Sequence, residues 1–156
     1  MSDRPPIRPP KNLPRWCFVR LIREPGTDVF SAERIRGPAD CFRLLVPRVH
    51  LLEVEAFFVV CLGSQSQVRA IEEVSRGIVN SSLVHPREVF RSAILAGACG
   101  IIVVHNHPSG DPTPSADDRS VTRQIVDAGR LLDIPCYDHL VIGGDRYVSF
   151  AEAGLL

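Results

Sequence analysis

The chain has 156 residues, 45% of them hydrophobic, which suits one compact domain and excludes a wholly disordered chain. No apolar run approaches the roughly 18 residues that a membrane span needs, and the first residues contain no hydrophobic signal segment. We therefore expect a cytoplasmic protein that does not bind a membrane.

The charge is divided unevenly along the chain, although its sum is zero. Residues 1–48 contain ten basic residues against five acids, and residues 49–156 contain eight against thirteen, which gives net charges of +5 and −5. A basic segment can contact nucleic acid or an acidic partner. This one lacks interleaved aromatic residues and a recognised binding motif, so a solvated or internally paired surface is the simpler interpretation.

Prolines dominate the beginning of the chain, with five of the thirteen in the first 14 residues. This density excludes a helix or a central strand there. We interpret residues 1–38 as an extended arm rich in proline and arginine, with a possible first strand over residues 16–22. The domain itself is expected over residues 39–156, with a short helix over residues 38–45 that Pro47 ends.

The remaining pattern alternates between strands and helices. Strands are predicted where β-branched and aromatic residues cluster, and helices where apolar residues recur at threes and fours. The predicted order is strands over 55–62 and 67–74, a helix over 82–97, a strand over 100–104, a loop over 105–114, a helix over 115–132, and a hairpin of 136–142 and 146–150. This order indicates a mixed α/β domain.

The five cysteines are odd in number and form no Cys-x-x-Cys pair. Three of them, Cys17, Cys61 and Cys99, lie within apolar stretches. Buried free thiols in a reducing compartment are therefore expected, and a zinc site made of cysteines is not.

The most informative segment is the stretch that begins at His105, directly after a predicted buried strand. In extended backbone, residues i and i+2 point to the same side, so His105 and His107 can present two imidazoles to one point. Neutral imidazole is a common zinc ligand. The loop that follows contains three prolines, which stiffen it, and Gly110, which permits an unusual turn.

Asp118 begins the next predicted helix and would complete a set of two histidines and one aspartate. Three protein ligands leave a fourth position for water, which is typical of a catalytic zinc site. Such a water needs a general base, and a carboxylate is the usual choice. Alternatively, Ser115 and Asp118 form a capping box at the helix start, and the two histidines are simply solvated.

At these residues the sequence resembles the JAB/MPN+ (JAMM) metalloprotease superfamily. Its motif is His-x-His-Pro, six residues, Ser, two residues and Asp, and the chain matches every spacing with His105, His107, Pro108, Ser115 and Asp118. Three segments resemble the RadC family (UPF0758-like proteins) in particular: residues 105–115, 84–89 and 138–143. The resemblance covers roughly residues 40–156.

The resemblance implies a JAB/MPN-like α/β (α+β) fold with a mixed, mainly antiparallel sheet flanked by helices, of cytidine-deaminase-like architecture. It implies one Zn²⁺ per chain held by His105, His107 and Asp118, in a hydrolase whose activated water attacks a peptide or isopeptide carbonyl. Ser115 would donate a hydrogen bond to the oxyanion. Glu55 best matches the place of the general base, and Glu53 is the alternative.

Two other functions stay open. The RadC family's historical link to DNA repair suggests a DNA-associated accessory protein, for which the basic segment is the sequence support. A non-catalytic interaction module with the same fold is the third possibility, although a scaffold needs none of the metal-binding residues. Peptide or protein is the expected substrate, and the sequence does not decide the oligomeric state.

Several further polar residues have less specific patterns. His85 is expected to be structural, at the start of the helix over residues 82–97. Asp138 and His139 are expected to be structural or to contact a metal ligand from behind. The pair Glu72 and Glu73 is a weaker candidate for the general base.

Overall fold

The computed structural model describes residues 34–77 and 84–156. The possible strand over residues 16–22, the rest of the proline-rich arm up to residue 33, and residues 82–83 of a predicted helix lie outside the described residues. The extent of the arm therefore stays a prediction. The described chain begins with Arg34, which bridges to Gln67, and with the buried Ile35.

The described elements are three helices and five strands. In chain order they are α1 (Pro38–Val49), β1 (Ala56–Leu62), β2 (Val68–Arg76), α2 (Pro86–Leu95), β3 (Gly100–Asn106), α3 (Ala116–Leu132), β4 (Cys136–Gly143) and β5 (Arg146–Ser149). The strands form one sheet in the order β2-β1-β3-β4-β5. Only the β3–β4 pair is parallel, because α3 crosses over between these two strands. The expected mixed, mainly antiparallel sheet flanked by helices is confirmed.

Two apolar cores lie on the two faces of the sheet. One is formed by α1 with alternate residues of the central strands, including Phe58, Val60 and Val104. The other is formed by α2 and α3 with the intervening residues, including Phe57 and Val103. Strands β1 and β3 are buried along their whole length, and for residues 100–104 of β3 the continuous apolar run predicts this burial. The structure thus has a helix layer on each face.

The prediction that Pro47 ends the first helix is wrong. Helix α1 continues through Pro47 to Val49, and the His50 N–H donates to the Val46 carbonyl at 3.1 Å. A proline in the last turn of a helix removes one backbone donor. Val49 is almost fully buried in the core, and this packing keeps the last turn helical.

The thiols are less uniform than predicted. Cys41, Cys61 and Cys136 are buried and free, whereas Cys99 is exposed. The apolar run around Cys99 suggested burial, but this residue precedes β3 and is not part of the sheet. In the described part of the chain, no helix combines the length and the hydropathy that crossing a membrane requires.

Candidate metal centre

The two predicted histidine ligands lie at the carboxyl end of β3. The predicted loop began at His105, but the strand continues through His105, which pairs with β1 and β4, and Asn106, which pairs with β4. His105 is opposite Phe57 on β1, and the two rings stack with their centroids 6.0 Å apart. The strand therefore fixes the backbone of His105 and aims its side chain at the α2/α3 face.

The predicted third ligand, Asp118, lies in the first turn of α3. Ser115 is the N-cap residue: its hydroxyl accepts from the Asp118 N–H at 3.1 Å, and the Asp118 carboxylate accepts from the Ser115 N–H at 2.6 Å. The predicted capping box is thus present. It does not exclude the metal site, because it fixes the Asp118 carboxylate beside the two histidines.

Within residues 34–77 and 84–156, His105, His107 and Asp118 form a group whose ligand atoms lie within 4.8 Å of one another and could hold a metal ion. The two histidine Nε2 atoms are 2.9 Å apart, and carboxylate oxygens of Asp118 lie 3.1 Å from His105 Nε2 and 3.6 Å from His107 Nε2. Two ligands at about 2.0–2.1 Å from a tetrahedral zinc ion are roughly 3.3 Å apart. The donor set and its spacing therefore fit a zinc-sized cation.

The loop after β3 orients the ring of His107. Its Nδ1 lies 2.7 Å from the Asp111 carbonyl oxygen, and a carbonyl can only accept, so Nδ1 carries the proton and Nε2 offers a lone pair to the cluster. Gly110 has φ +83°, the left-handed conformation that glycine favours. The loop packs so closely on Gly143 that an added Cβ there would come within 2.6 Å of Pro112 N.

The ring of His105 is held from behind by a third histidine. Its Nδ1 lies 2.8 Å from Nε2 of His139 on β4, and Nδ1 of His139 lies 2.6 Å from Oγ1 of Thr122 on α3. His139 is fully buried, and its ring stacks on Phe150 with centroids 4.7 Å apart. The expectation that His139 supports the structure or a ligand agrees with these contacts.

Sequence reasoning missed Thr122. Its position four residues after Asp118 was a usable signal, because residues i and i+4 share one face of a helix. Its hydroxyl donates to the Asp118 carbonyl at 2.5 Å, a bond that threonine often makes within helices.

Asp138, the neighbour of His139, is saturated by donors of the chain. Its carboxylate accepts from the Ser149 hydroxyl at 2.6 Å and from the backbone N–H groups of His139 and Ala151 at 2.7 and 2.9 Å. These bonds hold the turn after β5, which carries Phe150 onto the ring of His139. The role of Asp138 is structural, as one of its two interpretations predicted.

The electrostatics of the cluster favour bound positive charge. Burial by itself would raise the pKa of Asp118, but the contacts of its carboxylate with the His105 and His107 rings and the hydrogen bond from Ser115 outweigh it and hold this pKa far below its usual value. The contact with the Asp118 carboxylate raises the pKa of His107 despite partial burial, and the Asp111 carbonyl and the charge of Glu55 add to this. Burial lowers the pKa of His139 well below its usual value, so this ring is neutral.

Glu55 lies beside this cluster, immediately before β1. It precedes Phe57, the residue opposite His105, by two positions, and its charge reaches His107. Asn106 holds the backbone on both sides of Glu55: its side-chain oxygen accepts from the Ala56 N–H at 2.9 Å, and its amide donates to the Val54 carbonyl at 3.1 Å. Asn106, which lies between the two histidines in sequence, therefore fixes the backbone segment that carries Glu55.

The other candidate bases have different surroundings. Glu53 is exposed in the bend before Glu55. Glu73 forms an ion pair with Arg76 at 2.6 Å, and Glu72 pairs with Arg91 at 3.1 Å. Of these four acids, Glu55 is the one whose charge acts on His107.

Two remaining polar residues occupy local structural positions. His85 is the N-cap of α2, where its ring accepts from the Arg87 N–H at 3.1 Å, as its predicted structural role requires. Asp111 is exposed and accepts from the N–H and hydroxyl of Thr113 at 3.0 and 2.7 Å, so it stabilises its own loop.

An α/β domain with helices on both faces of a mainly antiparallel sheet, and with a His-x-His pair and a helical aspartate at one strand end, has the features of a JAB-type domain. The chain belongs to the family described as the RadC-like JAB domain, whose sequence model matches residues 35–155. The predicted RadC resemblance is therefore confirmed.

The curated relatives agree with this assignment. The chain is 51% identical over 120 residues to a UPF0758 protein of Symbiobacterium thermophilum, 50% over 138 residues to one of Moorella thermoacetica, and 42% over 141 residues to one of Methanosarcina barkeri. These matches cover 77%, 88% and 90% of the chain. The chain matches 51%, 60% and 62% of the length of these relatives.

Proposed function

We propose that this domain is a zinc-dependent hydrolase of the JAMM metalloprotease type, which cleaves a peptide or isopeptide bond in a peptide or protein substrate. The observation that carries the proposal is the convergence of His105 Nε2, His107 Nε2 and the Asp118 carboxylate at spacings that suit one zinc ion. Three ligands leave one tetrahedral position for water.

Access to the cluster is one-sided. The side chains of His105 and Asp118 are 1% and 9% exposed, whereas that of His107 is 14% exposed. A substrate would therefore approach from the side of His107 and the loop over residues 108–114. Burial on the other side keeps water from His105 and strengthens its electrostatic interactions.

When bound, zinc would supply Lewis acidity and lower the pKa of a coordinated water to about 7. We assign Glu55 as the general base that accepts a proton from the attacking water and returns it to the leaving amine. The Ser115 oxygen already accepts from the Asp118 N–H, so its own proton is free to be donated to the oxyanion. Asn106 would hold Glu55 in place through the backbone.

The first experiment measures bound metal by mass spectrometry in the purified protein and in His107→Ala. We expect about one zinc per chain in the native protein and none in the variant. Absence of metal from the native protein even after zinc is supplied would refute the hydrolase.

The second experiment tests the base with a matched pair of variants, Glu55→Gln and Glu53→Gln, on a panel of peptide and isopeptide substrates. General-base catalysis contributes about 10²–10⁴-fold. We expect Glu55→Gln to lose at least about 100-fold in kcat with its zinc retained, and Glu53→Gln to keep native activity. Equal losses in both variants would remove the assignment of Glu55.

A further inference from the structure

The orientation of His105 depends on a chain of buried polar groups behind it. From α3 inward, this hydrogen-bond chain consists of the Asp118 carbonyl, the Thr122 hydroxyl, the His139 ring and the His105 ring. The heavy-atom distances between successive groups are 2.5, 2.6 and 2.8 Å. All three side chains are at most 1% exposed, so solvent does not compete for these hydrogen bonds.

The direction of each bond in this hydrogen-bond chain follows from the Asp118 carbonyl at one end and from the burial of the His139 ring. The Asp118 carbonyl can only accept, so the single hydroxyl proton of Thr122 is used there. Thr122 Oγ1 must then accept from Nδ1–H of His139. The His139 ring is fully buried and contacts Thr122 and His105 but no carboxylate, so a second proton would be an uncompensated buried charge. With its one N–H on Nδ1, its Nε2 is an acceptor and receives Nδ1–H of His105. His105 Nε2 therefore has a lone pair, and it faces Asp118 at 3.1 Å.

We propose that Thr122 and His139 are positioning residues that fix His105 in the Nδ1–H tautomer, so that its Nε2 can bind the metal. This inference rests on the metal site of the proposed function. It assigns to the buried pair a role that the motif His-x-His-Pro, Ser and Asp does not contain. The other histidine ligand, His107, has its tautomer fixed by a backbone carbonyl instead.

The alternative tautomer shows why the pair is needed. A neutral His105 protonated on Nε2 would donate to the Asp118 carboxylate 3.1 Å away, which is favourable in the absence of metal. That proton would occupy the atom that the metal needs. The Thr122–His139 pair opposes this arrangement, since it offers an acceptor to Nδ1–H of His105. The ring of His139 cannot turn away easily, because it packs against Phe57 and Phe150.

The partner of His105 also affects the metal. Zinc-bound histidines commonly donate to a carboxylate or a carbonyl, and a carboxylate partner raises the basicity of the ligand. Here the acceptor is a neutral imidazole, whose pull on the His105 proton is weaker than that of a carboxylate.

The test compares Thr122→Val, which removes the hydroxyl at nearly constant shape, with Thr122→Ser, which retains it. In metal-free protein at pH 8, ¹⁵N NMR of the histidine rings should show the Nδ1–H tautomer of His105 in the native protein and in Thr122→Ser. Thr122→Val should shift it to Nε2–H. Zinc affinity, measured by competition with a chromophoric chelator, should fall about 10–100-fold in Thr122→Val and stay within about 3-fold in Thr122→Ser.

The native tautomer and native zinc affinity in Thr122→Val would overturn the proposal, whatever the change in melting temperature. If Thr122→Val does not fold, His139→Phe removes the acceptor of His105 Nδ1–H itself and keeps an aromatic ring against Phe57 and Phe150. It should give the same shift of tautomer, and an unchanged tautomer would again overturn the proposal. Failure of the native protein to bind zinc would refute the proposed function, whereas the tautomer in metal-free protein tests the pair independently.

Discussion

Two buried aspartates of this domain have opposite surroundings. Asp138 accepts three hydrogen bonds from donors of the chain, which satisfy both of its oxygens. Asp118 accepts one from the Ser115 N–H and otherwise faces Nε2 atoms of two histidines. In the tautomers assigned above, these two nitrogens are acceptors as well.

The difference separates a structural carboxylate from a metal-binding one. A buried carboxylate stabilises a fold when donors of the chain compensate for its lost hydration. A group of converging acceptors lacks that compensation and is complementary to a cation. Burial alone therefore does not identify the functional aspartate, but the nature of its neighbours does.

Among the substitutions of the two aspartates, we expect Asp118→Asn to change zinc affinity most. Asp118→Asn removes the one anionic ligand but keeps an oxygen that can accept from the Ser115 N–H, so the cap of α3 survives. We expect zinc affinity to fall by more than about 100-fold, beyond the usual effect of residues behind the ligands, and the melting temperature of the metal-free protein to change little. Competition titration and calorimetry measure the two quantities.

A matched control for this variant is Asp117→Asn, on the exposed side of the same helical turn. It should leave both quantities unchanged. Native zinc affinity in Asp118→Asn, or an equal loss in Asp117→Asn, would contradict the assignment of Asp118 as a ligand.

At Asp138 we expect a loss of stability and not of zinc binding. Asp138→Asn turns one oxygen into an amide nitrogen that faces a donor, so the free energy of unfolding should fall by about 1.5–3 kcal/mol, the range for hydrogen bonds to charged groups. Zinc per folded chain should stay near one. Urea unfolding measures the loss, with Asp145→Asn in the exposed β4–β5 turn as the control. A loss of zinc without a loss of stability would reverse the two roles.

A smaller effect is expected at Asn106, which holds the backbone around Glu55. Asn106→Ala leaves the buried Ala56 N–H and the Val54 carbonyl without their partner, which should cost about 1–3 kcal/mol in unfolding free energy. Zinc binding should persist, because neither histidine loses a contact. Activity on any cleaved substrate should fall in kcat more than in KM. An unchanged kcat would show that Glu55 does not depend on Asn106.

The last prediction concerns the reactivity of the thiols, two of which lie near Asp138. Burial raises the pKa values of Cys41 and Cys136 to about 12, with a contribution from the charge of Asp138, and burial raises that of Cys61 to about 12. These thiols should resist a disulfide reagent in the native state. Cys99 is exposed, so Cys99→Ser should lower the number of rapidly labelled thiols by one without changing stability. Identical labelling of both proteins would show that Cys99 is covered.

Much of the fold followed from local patterns. The continuous apolar runs predicted β1 and β3, and the recurring apolar residues predicted α2. Element ends were less accurate where packing decided them. Helix α1 continues through Pro47 because Val49 is buried, and β3 extends to Asn106 because β4 still pairs with it there.

The family and the candidate ligands could be predicted from the sequence, because the spacing of His105, His107 and Asp118 matches the family motif and the i, i+2 spacing puts the two histidines on one side of a strand. The residues that orient these ligands and Glu55 become visible only in the folded structure. The contacts of Thr122 and His139 with His105, and of Asn106 with the backbone around Glu55, join residues 17 to 52 positions apart. Such contacts depend on the strand register and the packing of α3, which no local pattern in the chain encodes.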